Sequence, residues 1–178
     1  MNDKGSALFD SASKTCDALA EEIRSSGVAP NAACGFAWEG GSCAGGEIGA
    51  LFDLASVTKS VMAAAFARSG IDRETRLGAM LEAARGTPAE EVPLELLFAH
   101  RAGFPAHLEL WKDARDPVEV ACRSRSPGPL PAAPVYSDIG YLLAGRAAAG
   151  GLDVSEFVDA NLIAPLGLSD VLGSARRL

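Results

Sequence analysis

The sequence predicts a mixed α/β (α+β) domain, and three stretches of it carry that prediction. Residues 9–26 place Phe9, Ala12, Cys16, Leu19, Ala20 and Ile23 at steps of three and four, the spacing of one helix face. Residues 33–38, ACGFAW, alternate larger with smaller side chains, the period of a strand. Residues 56–68, SVTKSVMAAAFAR, are a run of strong helix formers. The chain has 178 residues, enough for one domain with a sizeable core, and residues 1–178 are expected to form a single one. At 48% hydrophobic and 22% charged residues, its composition excludes a disordered chain. Ala and Gly are abundant and aromatics few, so the core has to be built from small and aliphatic side chains.

The elements follow in order. The first helix ends at Ser25-Ser26-Gly27, and Pro30 prevents its continuation. Glu39-Gly40-Gly41 supplies a turn from the strand at 33–38 into a second one near Ser42 to Ala44, and Gly45 to Gly49 reads as a loop. Leu51 to Ala55 leads into the helix at 56–68, which Ser69-Gly70 closes. Residues 72–92 read as short helices broken at Gly86 and Pro88, and Pro93 suits the first turn of a short helix to Ala99. SRSPGPLPAAP, residues 124–134, is rich in proline. Helix signals resume on both sides of it, so an ordered connecting loop is expected rather than a linker. Ser137 to Ala149 reads as a Gly- and Ala-rich helix capped by Gly150-Gly151. Asp153 and Glu156 have capping-box spacing before a last helix, Val154 to Ile163, which Pro165 ends.

Charge and cysteine usage exclude several functions. A net charge of −7 and a pI of about 4.8 argue against nucleic acid as a partner, because a phosphate backbone needs a basic face. Cys16, Cys34, Cys43 and Cys122 have no C-x-x-C spacing, and His100 and His107 lie away from them, so no metal site is expected. Scattered thiols suit a reducing compartment. The start, Met1 to Ser6, lacks the apolar run of a signal peptide, and Arg68, Asp72 and Arg73 interrupt the most apolar stretch. The expectation is a cytoplasmic protein with no membrane partner.

The candidate chemistry begins at Ser56-Val57-Thr58-Lys59. Residues i and i+3 of a helix share a face, so the hydroxyl and the amine can meet near the helix start. A serine hydroxyl becomes a competent nucleophile when a base takes its proton, and a lysine is such a base only if its pKa is lowered. The surrounding helix is apolar, so Lys59 is expected to be either desolvated or paired. Unpaired N–H groups at a helix start also favour a developing negative charge. Ser-x-x-Lys alone is a common string, and Ser56 as a plain N-cap with Lys59 facing solvent fits it as well. The second element, Tyr136-Ser137-Asp138, sits at a loop-to-helix junction, where Tyr136 can act as a phenolate or proton relay. Ser137 and Asp138 there can equally cap the helix that follows.

Four segments in this order resemble the serine β-lactamase and penicillin-binding-protein family, in its class C and esterase-like branch. Ser56-x-x-Lys59 within FDLASVTKSV is similar to the family's nucleophile motif. Tyr136-Ser137-Asp138-x-Gly140-Tyr141 is similar to its Tyr-x-Asn motif. Residues 96–105, LLFAHRAGFP, are similar to its leucine-leucine-x-histidine-threonine-serine-glycine-leucine-proline segment, and Pro165-Leu166-Gly167-Leu168 to its proline-leucine-glycine segment. The resemblance runs from about Ala33 onward and implies a β-lactamase/transpeptidase-like fold. It implies that an amide or ester carbonyl acylates Ser56, and that Lys59 and Tyr136 share general-base and general-acid duties. The Ser56 N–H would be half of the oxyanion hole, and Asp138 would stand at the substrate. It implies no cofactor. The acyl substrate stays open among a β-lactam, a peptide and a small ester. Asp138 in place of asparagine departs from the strict β-lactamase pattern. His100 matches a structural histidine of the family, which favours a loop-stabilising role over that of a base for Ser56. His107 is unassigned.

The family's third motif, Lys-Thr-Gly or His-x-Gly on a strand lining the site, has no counterpart in Gly167 to Leu178; Lys14-Thr15-Cys16 is the nearest string. The expectation is therefore an N-terminal portion of the domain, its helical part intact and its antiparallel sheet incomplete. Such a chain is expected to turn over substrate poorly or not at all, and to be marginally stable, aggregation-prone or dependent on a partner supplying the missing strands. The alternatives are a catalytically silent binding or regulatory remnant of the fold, and a helical interaction module that matches by accident.

Overall fold

The computed structural model of the chain describes residues 3–173. Part of the Met1 to Ser6 string, and residues 174–178 at the end of the C-terminal stretch, lie outside the described residues. The chain divides into two compact units, Met1–Asp53 and Leu54–Leu178. No helix of the described residues is long and apolar enough to cross a membrane.

The first unit packs one helix on one hairpin. Helix α1 (Asp3–Ser25) begins before the expected residue 9 and ends where the Ser-Ser-Gly run predicts. Strands β1 (Ala33–Trp38) and β2 (Gly41–Gly46) pair antiparallel, with Ala33 opposite Gly46 and Trp38 opposite Gly41. The turn is the two residues Glu39 and Gly40, the latter at φ 87°. Gly41, expected in the turn, is the first residue of β2, and β2 runs two residues past the expected Ala44. The extension is held by α1, because the Asp17 carboxylate accepts the Gly46 N–H at 2.9 Å. A side chain at Gly46 would sit 2.5 Å from the Ala20 Cβ, so glycine is what lets helix and strand approach.

The second unit is helical. Helix α2 (Val57–Arg68) buries Met62, Ala65 and Phe66. Helix α3 (Leu77–Met80) and a 3₁₀ turn at 82–84 fill the 72–92 stretch. Helix α4 (Leu94–Phe98) follows Pro93, whose backbone is extended rather than helical; Pro93 bridges Arg76 just before the helix. After a 3₁₀ turn at 110–112 comes helix α5 (Pro117–Arg123), which the periodicity of the sequence did not reveal. Its capping was legible: Asp116 accepts the N–H groups of Val118 and Glu119, and Pro117 takes the first helical position. Helix α6 (Asp138–Ala149) is capped by the Ser137 side chain at one end and by left-handed Gly150 at the other. Asp153 and Glu156 form the expected capping box before α7 (Val154–Val158). That helix then widens into a π turn at Asp159–Ile163 instead of continuing regularly.

Helix α6 organises this unit. It touches α2, α3, α4, α5 and α7, and buries Gly140, Leu143, Ala144, Gly145, Ala147, Ala148 and Ala149. Small residues on so many faces let neighbouring helices come close. Leu77, Val92, Leu94, Leu97 and Cys122 complete the best-buried part of the core. The proline-rich stretch is an ordered loop within this unit, and Arg125 pins it. The buried Arg125 guanidinium donates to the carbonyls of Ala102 at 2.8 Å, Gly128 at 3.1 Å and Pro88 at 3.3 Å. One side chain thus ties the loop to the segments before α4 and before Phe104. Arg125→Ala should destabilise the chain by roughly 2–4 kcal/mol, since it strands carbonyls that a charged donor now satisfies. Arg125→Lys should recover little of this, because a lysine lacks the planar fork. Chemical denaturation of the three proteins checks both expectations.

Candidate active site

The chain enters α2 through Ala55, a non-glycine residue at φ 43°. Such backbone costs about 1–3 kcal/mol and marks a constrained turn. It sets Ser56 at the mouth of the helix, where Val57 N–H has turned back to the Leu54 carbonyl at 2.8 Å. Ser56 occupies the cap position, but its hydroxyl makes no capping bond. Instead the Ser56 Oγ accepts from the Lys59 ammonium at 3.3 Å. The plain N-cap alternative does not describe this serine.

Lys59 is paired, the second of the two expected outcomes. Its side chain is 16% exposed, and its Nζ lies 2.6 Å from the Asp138 Oδ1. The hydrogen bond to Asp138 is the main reason its pKa is raised above the usual lysine value, against the opposing effect of burial. Asp138 is held below the usual carboxylate range, chiefly by the same bond to Lys59. The site therefore rests as an ammonium beside a carboxylate.

Tyr136 arrives from the loop before α6. The Lys59 Nζ sits 4.9 Å from the centre of its ring. Its phenol lies below the usual tyrosine value, first because of a hydrogen bond with Ser56 and then because of Lys59, with desolvation and, more weakly, Asp138 acting in the opposite sense. The i, i+3 spacing places the Lys59 amine beside Ser56, and the fold brings the phenol to Ser56 as well. All four sequence-predicted residues, Ser56, Lys59, Tyr136 and Asp138, thus meet through direct contacts within one unit.

His100 builds the loop that delivers Tyr136. It adopts φ 58°, its carbonyl accepts the Val135 N–H at 2.9 Å, and its Nδ1 accepts the Ser137 N–H at 2.9 Å. Burial, and then the nearby charge of Lys59, lower its pKa, so the ring is neutral with its proton on Nε2. The ring packs against Tyr136 and Tyr141 at centroid distances of 4.5 and 5.0 Å. This is the loop-stabilising role. Ser137 adds two further bonds, donating to the Pro105 carbonyl at 2.6 Å and accepting the Gly140 N–H at 3.0 Å.

Two neighbours escaped the sequence reading. Tyr141 donates to the Phe98 carbonyl at 3.1 Å and backs the Lys59 ammonium at 5.9 Å. Its position three residues after Asp138 on one helix was the available signal. His107 lies 3.5 Å from the second Asp138 oxygen, a contact that no spacing announces. Among the described residues, no group of His, Cys, Asp and Glu could hold a metal ion. An open cleft of about 490 Å³ beside Phe66, Ile71, Arg73 and Phe98 includes none of the four site residues.

Residues 45–172 match the model of the Beta-lactamase family. No curated protein matches the chain. Among solved structures it is similar to a class C β-lactamase at 17% identity and a TM-score of 0.70, with 96% of this chain and 53% of that one covered. A class C β-lactamase in complex with cefoxitin is similar at 18% identity and a TM-score of 0.68, covering 96% of this chain and 54% of that one. A third class C enzyme gives 18% and 0.68, over 90% of this chain and 51% of its own. The chain spans about half the length of these structures, and at such identities they show the fold. The expected β-lactamase-like α/β fold is therefore the observed one, and the match over most of its length establishes that the chain belongs to the β-lactamase family.

Proposed function

We propose that this chain is a serine hydrolase in which Ser56 is acylated by an amide or ester carbonyl. The observation that carries this reading is that the Ser56 hydroxyl, unused as a helix cap, is held between an ammonium and a phenol of lowered pKa. The Tyr136 phenolate takes the Ser56 proton as Oγ attacks the carbonyl. The Ser56 N–H and the start of α2 face the oxyanion that forms. Tyr136 then gives its proton to the leaving group, and water releases the acyl group by the reverse path. Lys59 stays protonated. Its charge favours the phenolate and steadies the hydroxyl, so the base duty that the resemblance shares between the two residues falls mainly on Tyr136.

Asp138 bears on the substrate. An ionised carboxylate accepts hydrogen bonds and donates none. A substrate group beside it is therefore a donor, an N–H or O–H next to the scissile carbonyl. This favours a small ester or a peptide-like acyl group over a β-lactam whose side-chain carbonyl seeks a donor.

Treatment with an activated phosphonate should label Ser56 alone, as read by intact mass and peptide mapping. Ser56→Ala should abolish the label, and Tyr136→Phe should slow labelling by about a hundred- to ten-thousandfold. Labelling of Ser56→Ala at the parent rate would place the nucleophile elsewhere. Assays with short-chain nitrophenyl esters and a chromogenic cephalosporin then separate turnover from a single acylation.

The pH profile of labelling should rise with pH as the Tyr136 phenol loses its proton. In Lys59→Met that rise should move to higher pH, because the positive charge that depresses the phenol is gone. If the rise disappears instead, Lys59 is itself the base.

A further inference from the structure

Three of the four cysteines, Cys16, Cys34 and Cys43, converge in the first unit. Cys16 on α1 and Cys43 on β2 are both buried, and their sulfurs are 3.8 Å apart. The strand pairing adds Cys34. It lies opposite Gly45, and Phe36 lies opposite Cys43, so Cys34 and Cys43 are diagonal neighbours on one face of the hairpin. That face is turned to α1, as the buried Cys43 and the Asp17 contact at Gly45 show. Cys34 also acts on Cys16 through hydrogen bonding and charge, so Cys16 is within reach of both other thiols. Of the three, only Cys34 is partly open to solvent. Cys122 is buried in the second unit.

We propose that Cys34, Cys16 and Cys43 form a thiol–disulfide exchange site, in which Cys34 takes up a low-molecular-weight disulfide and Cys16 and Cys43 end as the bonded pair. Access assigns the first step. The Cys34 thiolate attacks one sulfur of the oxidant disulfide, whose S–S bond breaks, and the departing thiolate takes up a proton. A mixed disulfide remains on Cys34. In the second step the Cys16 thiolate attacks the Cys34 sulfur and expels the second small thiol. In the third, the Cys43 thiolate attacks the Cys16 sulfur and frees Cys34. Two protein thiols lose two electrons and two protons, and one small disulfide becomes two small thiols. The bond that results ties α1 to β2 and returns Cys34 to its starting state.

The second step sets the rate. Burial foremost, and then the neighbouring cysteines, push the Cys16 thiol up to about 11. Little of it is ionised at neutral pH, and its thiolate fraction grows about tenfold per pH unit below that value. At neutral pH the mixed disulfide on Cys34 should therefore accumulate, and at alkaline pH it should give way to the internal bond.

The experiment uses the full chain and oxidised glutathione, and does not depend on the activity of Ser56. Samples taken at neutral and at mildly alkaline pH are quenched with acid, alkylated, and read by intact mass and non-reducing peptide mapping. The expected neutral product carries one glutathionyl group, on Cys34. The expected alkaline product has lost that group, contains a Cys16–Cys43 crosslink, and alkylates at Cys34, with Cys122 unoxidised in both. Cys16→Ala should keep the adduct at both pH values. Cys34→Ser should slow crosslinking by about tenfold or more, reflecting the lost entry thiol. A first adduct on any other cysteine, a different final crosslink, or no reaction under conditions that oxidise the urea-unfolded chain would each overturn the proposal. Crosslinking of Cys34→Ser at the parent rate would also overturn it. The unmutated chain alone decides the main point, so a variant that misfolds leaves the test intact.

Discussion

The contact on which the rest of the site depends is the pair between Lys59 and Asp138. It joins the start of α2 to the start of α6 at 2.6 Å. Asp138 is about half exposed, and pairs open to solvent contribute only about 0–1 kcal/mol to stability. Its weight lies in protonation. Lys59 projects from an apolar helix with little exposure, where burial alone would favour the neutral amine. The carboxylate reverses that balance and keeps the charge. The charge in turn draws down the Tyr136 phenol, which lies against Ser56. An acid at the head of one helix thus governs the proton inventory of a nucleophile at the head of another.

Geometry of this kind needs a rigid frame, and the frame is made of backbone. His100 spends both its carbonyl and its Nδ1 on the segment 135–137, while Ser137 reaches back to the Pro105 carbonyl. The left-handed conformations at Ala55 and His100 oppose folding by about 1–3 kcal/mol each, and they fall beside Ser56 and beside the Tyr136 loop. The core that holds them is built of close contacts rather than bulk. Alanine and glycine along α6 admit five neighbouring helices, while Phe66 stacks on Phe98 and Phe98 meets the edge of Tyr141 close to Lys59.

Much of this was legible before the fold was known. Period and capping located α1, β1, α2, α6 and the box at Asp153 and Glu156, because those signals lie within one or two turns of chain. Helix α5 is marked in the sequence only by its cap, Asp116-Pro117, since its apolar residues are too few for a period to emerge. The Gly41 to Gly46 strand is longer than its sequence signals, because glycines mark turns locally, whereas Gly45 and Gly46 here admit α1. The Ser56–Lys59 contact was also local, three residues along one helix. Its charge state was not. The sequence offered desolvation or pairing without choosing, and Asp138, 79 residues further on, made the choice.

By itself the sequence determined the helices, the hairpin, the nucleophile with its neighbouring amine, and the family resemblance, all of which rest on residues close together in the chain. The tertiary structure alone decided that Tyr136 meets Ser56, that His100 braces a loop and is not free to act as a base through its Nδ1, that His107 approaches Asp138, and that three scattered cysteines converge. Each of these joins residues separated by more than a helix length. The spacing of residues along the chain carries no information about such distances, because they are set by how packed elements bring remote surfaces together, and a proton goes where the summed field of those surfaces places it.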